Sequence, residues 1–199
     1  MFIGGGRFQT TMKLRWFSVG LFAIVIPIGC RSSPAPRAQA PSPSPPVVVE
    51  SYPNLTAGSR KLVDALARKD YATFIDLTYP KVVEIGGGRE KLLARMTDEM
   101  KTMEMEGVTL LSSTTSPPTQ FVSDAGGIYA VVPVTTKIKA RDGVFQTEGS
   151  LIAVSTDGGQ SWTFVDATGR DQTELKKVLP NFDKLKVPPE KPPIKVATN

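Results

Sequence analysis

The amino-acid sequence predicts an α+β fold in which helices precede an antiparallel sheet. Amphipathic helical patterns run from about Thr56 to Glu106, and alternating β-branched residues run from Gly127 to Asp166. Within the second stretch, the pair Asp142-Gly143 predicts a tight β-hairpin. A run of helices followed by a run of strands is typical of the α+β class, and short turns join antiparallel strands.

Residues 1–29 predict a signal peptide. A basic stretch ending at Arg15 precedes the apolar run 16–28, which is too short for a comfortable membrane span. The run ends in a glycine directly before Cys30, and this ending resembles the lipobox of bacterial lipoproteins, although Pro27 stands where the family usually has Leu. The resemblance implies cleavage before Cys30, with lipid on its sulfur and its amine.

Residues 30–48 are rich in proline, serine and alanine, which predicts an extended tether from the lipid to a folded domain. Arg31 follows the cysteine where inner-membrane lipoproteins of enteric bacteria carry Asp, which favours the periplasmic face of the outer membrane. We therefore expect a lipid-anchored protein of the bacterial cell envelope, with the membrane as a partner through Cys30. A plain signal peptide or an uncleaved anchor is the alternative.

Three helices are predicted before the sheet, and breaking residues separate them. They span Thr56–Lys69, Tyr71–Thr78 and Arg89–Glu106. The first has its N-cap at Thr56 or Ser59, and the second ends before Pro80, which cannot continue a helix. The third carries leucines and methionines at helical spacing, which we interpret as core filling.

The predicted sheet has four to five strands. Val108–Ser113 and Thr119–Ser123 lead into the central hairpin, and a last strand follows Trp162. A type I′ turn at Asp142-Gly143 would set Arg141 opposite Val144 and Lys137 opposite Glu148, with apolar pairs on the other face. Pro133 interrupts the first hairpin strand, so an edge position or a bulge is expected there.

A second turn carries a recognisable motif. Its residues Ser155, Asp157, Gly159, Ser161 and Trp162 resemble the Asp-box of sialidase propellers, with Ser in place of Thr. The chain has one copy, whereas a propeller needs about four blades or more. We therefore interpret the motif as structural: Asp157 caps the turn, the glycines supply positive φ, and Trp162 packs.

The folded part is predicted to be a single domain over residues 49–187. Thr173–Leu179 predicts a short closing helix, after which Phe182, Leu185 and Val187 dock as an extended strap. The proline- and lysine-rich residues 188–199 are predicted to be a disordered tail.

This order of elements resembles the nuclear-transport-factor-two-like fold, most closely at residues 67–71 and 77–80 and at the Gly-Gly-Arg-Glu helix start. The resemblance implies a curved sheet wrapped around the helices as a cone, and a cystatin-like arrangement with one long helix is the rival. A pocket in such a cone would be lined by Tyr71, Phe74, Tyr79, Tyr129, Trp162 and Phe164. Aromatic residues at such places are more often core.

Composition removes several classes of function. The chain has no histidine and one cysteine, so it lacks the commonest general base, the commonest zinc ligand and any internal disulfide. We expect no metal and no cofactor. The excess of positive charge lies in the leader and in the four lysines after Pro180, so the domain between them is close to neutral and nucleic acid is not an expected partner.

Three hypotheses for function follow. The favoured one is a non-catalytic envelope module that binds an envelope protein, a cell-wall component or a small molecule, and the resemblance also allows a homodimer. The alternative is an enzyme that uses a carboxylate base in a cone-shaped pocket, for which Asp76 is the candidate because Ile75 and Leu77 flank it. A purely structural subunit, with a filled cone and an apolar outer patch, is the third.

Overall fold

The computed structural model describes residues 52–124, 126–180 and 184–196, which belong to one compact unit, Val49–Asn199. The predicted signal peptide 1–29, Cys30, the tether and Phe182 lie outside the described residues. The helices are α1 (Pro53–Ala67), α2 (Tyr71–Asp76), α3 (Pro80–Ile85), α4 (Arg89–Met105) and α5 (Gln172–Val178). The strands are β1 (Thr109–Thr115), β2 (Gln120–Asp124), β3 (Gly127–Ala140), β4 (Gly143–Ser155), β5 (Thr163–Asp166) and β6 (Ile194–Val196). The predicted α+β class and antiparallel sheet are confirmed. The described residues form six strands rather than the four to five predicted, because the C-terminal segment adds β6, and their order is β1-β3-β4-β5, with β2 beside β3 and β6 beside β4.

Two prolines open helices that the sequence analysis placed differently. Pro53 is in the first turn of α1 and Tyr52 is its N-cap, so the predicted start at Thr56 is wrong. Pro80 begins α3, a helix that the sequence analysis missed because it took this proline only as a stop. Both follow from the same physics, since proline at the first helical position has its φ already set and lacks only an N–H that would have no partner there.

The central hairpin pairs β3 with β4 over their whole length, but its predicted register is wrong by two residues. Ala140 lies opposite Gly143, which leaves Arg141 and Asp142 as the turn. A type I′ turn requires positive φ at both central residues. Neither Arg141 nor Asp142 has positive φ, whereas Gly143 has φ 134°. A shift of two keeps every side chain on its predicted face but changes its partner, because side chains alternate with a period of two.

Pro133 lies in a central strand rather than at an edge. One side of β3 pairs with β4 throughout. The other side pairs with β2 over Gly127–Val131 and with β1 over Val134–Lys139. The Pro133 carbonyl accepts a hydrogen bond from the Ser116 N–H (2.9 Å) at the break between these two partners. A residue's N and C=O point to the same side of an antiparallel strand, so the missing N–H falls at this break and costs no ladder bond.

The alternation of β3 and β4 creates a buried cluster on each face of the sheet. On one face, α1 packs against the sheet, and the cluster comprises Leu55, Leu62, Val63, Ala130, Val132, Leu151, Ala153, Trp162 and Phe164. On the other face, α5 and the segment after it complete a cluster of Tyr129, Val131, Ile152, Val154, Val165, Ala167, Leu175, Leu179 and Leu185. The fold is therefore a three-layer arrangement in which the sheet is the middle layer.

The C-terminal segment is more ordered than its composition suggests. The side chain of Gln120 holds the backbone of Lys186 by two hydrogen bonds, from Nε2 to the carbonyl (2.8 Å) and from the Lys186 N–H to Oε1 (3.0 Å). Further along, β6 pairs with Val144–Gln146 of β4. This differs from the disordered tail predicted from residue 188, because backbone pairing to an open strand edge depends little on side-chain composition.

We predict that Leu185→Ala lowers the free energy of unfolding by about 2–5 kcal/mol, because Leu185 is fully buried beneath the sheet. The neighbouring Lys186 is exposed, so Lys186→Ala should change stability by less than about 0.5 kcal/mol. Urea denaturation of both variants checks the pair. Equal free energies of unfolding for the two variants would mean that the C-terminal segment does not dock against the core.

Candidate functional site

The six aromatic residues predicted to line one pocket do not come together. Trp162 and Phe164 are buried in the cluster beneath α1, and Phe74 packs against it. Tyr129 is buried in the cluster on the opposite face, and Tyr79 packs there. The sixth, Tyr71, is half-buried at the start of α2. These side chains belong to the core and to its borders, and burial raises the pKa of the Tyr129 hydroxyl.

Asp76, the candidate catalytic base, lies on the surface. Its side chain is 56% exposed and accepts two hydrogen bonds from Arg89, at 2.7 and 3.1 Å. The hydrogen bond from Arg89 lowers the pKa of Asp76, although partial burial opposes the effect. A general base in an apolar cavity would need a raised pKa instead. Asp76 and Arg89 therefore form a bidentate ion pair between α2 and the start of α4.

The Asp157 turn is a closed hydrogen-bonded unit, as its structural interpretation predicts. Asp157 Oδ1 accepts hydrogen bonds from the Ser155 hydroxyl (2.8 Å) and from the N–H groups of Gln160 (3.0 Å) and Ser161 (2.9 Å). Its other oxygen accepts the Ser161 hydroxyl. These bonds favour the ionised carboxylate and lower the pKa of Asp157 from 3.8 to about 2, with the Ser161 hydroxyl as the largest cause.

The same turn is attached to the start of α1. Trp162 Nε1 donates to the Gly159 carbonyl (3.1 Å), and its ring meets the Tyr52 ring edge-on at 5.4 Å. Gly159 has φ 90°, and a Cβ there would lie 2.5 Å from the Tyr52 ring, so only glycine fits. The predicted packing of Trp162 is confirmed. Both oxygens of the Asp157 carboxylate thus accept hydrogen bonds from within the turn.

The described surface has a groove of about 330 Å³ on the sheet face opposite α1. Its floor is Pro133–Thr135 of β3 and Glu148–Ser150 of β4, and Pro188–Lys191 forms one wall. A second groove, of about 410 Å³, continues beside it along residues 169–172 and shares the wall Pro188–Glu190. The C-terminal segment thus forms a wall common to two shallow grooves.

The residues that line these grooves were not predicted from the sequence. Glu148 was predicted to face Lys137, whereas Lys137 faces Gln146 and the Glu148 carboxylate bonds to Lys191 Nζ at 2.7 Å. Two errors combined: the hairpin register was wrong by two residues, and Lys191 was assigned to a disordered tail. Glu148 is the one charged residue of β4, and nothing in the neighbouring sequence indicates which distant lysine it meets.

The described residues hold no group of three or more acidic, cysteine or histidine side chains that could bind a metal ion. Gly86-Gly87-Gly88 precedes α4, and an N-terminal helix end can attract an anion. Here Glu90 occupies the first turn of α4, and the Arg89 guanidinium is held by Asp76. This segment serves as a connector.

The described helices include none with both the length and the apolar character to cross a bilayer. No protein-family model matches the chain. A search of curated proteins likewise finds no match. Function is therefore inferred from the residues and their geometry.

We predict that Asp157→Ala lowers the melting temperature at pH 7 and that this difference shrinks in acid. The folded-state pKa is about 2 and lies below the ordinary 3.8, so the ionised group stabilises the fold above about pH 4 and this contribution is lost as pH falls towards 2. Thermal melts of wild type and variant between pH 7 and pH 2 measure the effect.

Gln160→Ala is the matched control, since its side chain is exposed and uncharged in the same turn. Its melting temperature should follow that of the wild type at every pH. A difference for Asp157→Ala that stays constant down to pH 2 would contradict the assigned role of the carboxylate.

Proposed function

We propose that this protein is a lipid-anchored protein of the bacterial cell envelope whose α+β domain is a non-catalytic interaction module. We place it at the periplasmic face of the outer membrane and propose a nuclear-transport-factor-two-like arrangement for the domain, with the sheet curved around the helices. The element order of four helices followed by antiparallel strands supports that arrangement.

The lipid anchor is supported by the position of one residue. The single cysteine of the chain, Cys30, follows a glycine at the end of the apolar run 16–28, where the lipobox requires it. Within the tether, the proline-rich residues 31–46 have about 3.1 Å of reach per residue in an extended conformation, roughly 50 Å in all. Such a tether would hold the domain clear of the lipid headgroups, where a partner can approach it.

The non-catalytic role is supported chiefly by three carboxylates of the described domain that are already bound to other groups of the protein. Asp76 is bound to Arg89, and Asp157 is enclosed by the hydroxyl and N–H groups of its own turn. Glu148 is bound to Lys191. The hydrogen bonds lower the pKa of Asp76 and of Asp157, so these two carboxylates are poor proton acceptors at neutral pH.

The alternative, an enzyme with a carboxylate base in a cone-shaped pocket, draws no support from its candidate residues. Asp76 faces solvent, and the aromatic residues assigned to the pocket are divided between the two faces of the sheet.

We predict that the protein purified from membranes carries a diacylglycerol group, with or without an N-linked acyl chain, on Cys30. Intact-mass spectrometry should find the added lipid on a chain that begins at Cys30, and Cys30→Ala should lack it and leave the membrane fraction on alkaline washing. An unlipidated wild-type chain cleaved at another residue would overturn the anchor.

The interaction role has a separate test. After gentle detergent extraction, a module bound to a partner should migrate above the mass of one lipidated chain, and mass spectrometry of that species distinguishes a homodimer from a complex with another protein. Migration as a lone chain after crosslinking in intact cells would contradict the interaction role without affecting the anchor.

A further inference from the structure

One edge of β4 is only partly paired. Its first neighbour, β3, pairs along its full length, whereas its other edge has β5 at Leu151–Val154 and β6 at Val144–Gln146. Between these two, no described strand pairs with residues 147–149. Gly149 is covered by the side chain of Thr168, which would lie 2.2 Å from a Cβ there. The edge that an extended chain can use is therefore Val144–Glu148.

The chain's own tail fills this edge poorly for a physical reason. Continuing the register of β6, in which Gln146 lies opposite Ile194, would set Pro193 opposite Thr147 and Pro192 opposite Glu148. The N and C=O of Glu148 face this edge, as those of Ser150 do, and Pro192 has no N–H to donate to the Glu148 carbonyl, so the ladder loses a bond there. The pairing accordingly stops after three residues, although the edge continues towards the groove.

The tail is also held lightly beyond its buried anchor. Leu185 is fully buried and Gln120 holds Lys186, which fastens the segment up to that point. Beyond it, Ile194 is 56% exposed and Lys191 is bound through an ion pair whose side chains are 67% and 44% exposed. Exposed ion pairs contribute little to stability, so residues after Pro189 can leave the sheet while Leu185 stays in place.

We propose that the edge Val144–Glu148 is an acceptor for an extended segment of a partner protein and that residues 190–196 are its placeholder. The segment adds to β4 as an antiparallel strand, by the backbone pairing that β6 now uses. It carries β-branched residues where Ile194 and Val196 lie, residues other than proline opposite Thr147 and Glu148, and a basic side chain for the Glu148 carboxylate. The inference rests on the proposed role of the domain as an interaction module.

The experiment compares the detergent-solubilised full chain with a chain that ends after Pro189. Two fluorescent peptides serve as probes: residues 190–199 of this protein, and the same peptide with Pro192→Thr and Pro193→Thr. The shortened chain should bind the natural peptide and should bind the substituted peptide at least about tenfold more tightly. The full chain should bind both at least about tenfold more weakly, because its tethered tail competes at high effective concentration.

The matched control is Glu148→Lys in the shortened chain, which should weaken both peptides and leave the circular dichroism spectrum unchanged. Two results would overturn the proposal. One is a folded, shortened chain that binds neither peptide. The other is equal binding by the full and shortened chains, which would indicate a different site.

Hydrogen exchange of the full chain tests whether the tail can leave the β4 edge, even if the shortened chain does not fold. The amides of Ile194–Val196 should exchange by local opening, well before those of Ile152–Val154 in the centre of the sheet. Exchange of both sets only through global unfolding would show that the tail is not displaceable and would overturn the proposal. These results are independent of the lipid mass and of the native size, so failure here is distinguishable from failure of the proposed function.

Discussion

The β3–β4 ladder is the constraint on which the rest of the domain depends. It runs without a break from Ile128 opposite Ser155 to Ala140 opposite Gly143, and every other described strand pairs with one of these two. Because side chains alternate, the same ladder sends one set of residues under α1 and the other under α5 and Leu185. A slip by one residue would exchange these two apolar sets, so the register of the ladder decides which side chains pack under α1 and which pack under α5.

Three carboxylates of the described domain connect elements of the fold. The Asp157 turn joins β4 to β5 and packs against the start of α1 through Trp162 and Tyr52. The pair of Asp76 with Arg89 connects α2 to α4, and Glu148 holds the C-terminal segment through Lys191. Of these carboxylates, Asp76 is the one that was predicted as a candidate catalytic base. With its partner in place, each becomes a connection between elements, which is why the proposed function concerns binding surfaces and strand edges.

Local sequence rules predicted a good part of this fold and little of the site. The alternating patterns, the glycine turns and the Asp157 motif act over a few residues, so the order of the amino acids is enough to reveal them. The register of the hairpin could not be predicted in this way. The Asp142-Gly143 pair predicts a turn centred on those two residues, whereas the turn is formed by Arg141 and Asp142. The predicted pocket failed for a related reason. An aromatic residue indicates burial, but the face on which it is buried depends on the pairing of its strand.

By itself, then, the sequence determined the α+β class, the faces of the central strands and the structure of the Asp157 turn, because each depends on neighbours along the chain. It also set the expectation of a lipid anchor at Cys30. Only the tertiary structure decided that Glu148 meets Lys191, that Pro133 sits at the break between β1 and β2, and that the tail covers part of the β4 edge. These contacts join residues far apart in the chain. They form only when the strands and the C-terminal segment have packed together, and no pattern of neighbouring residues shows which distant residues will then meet.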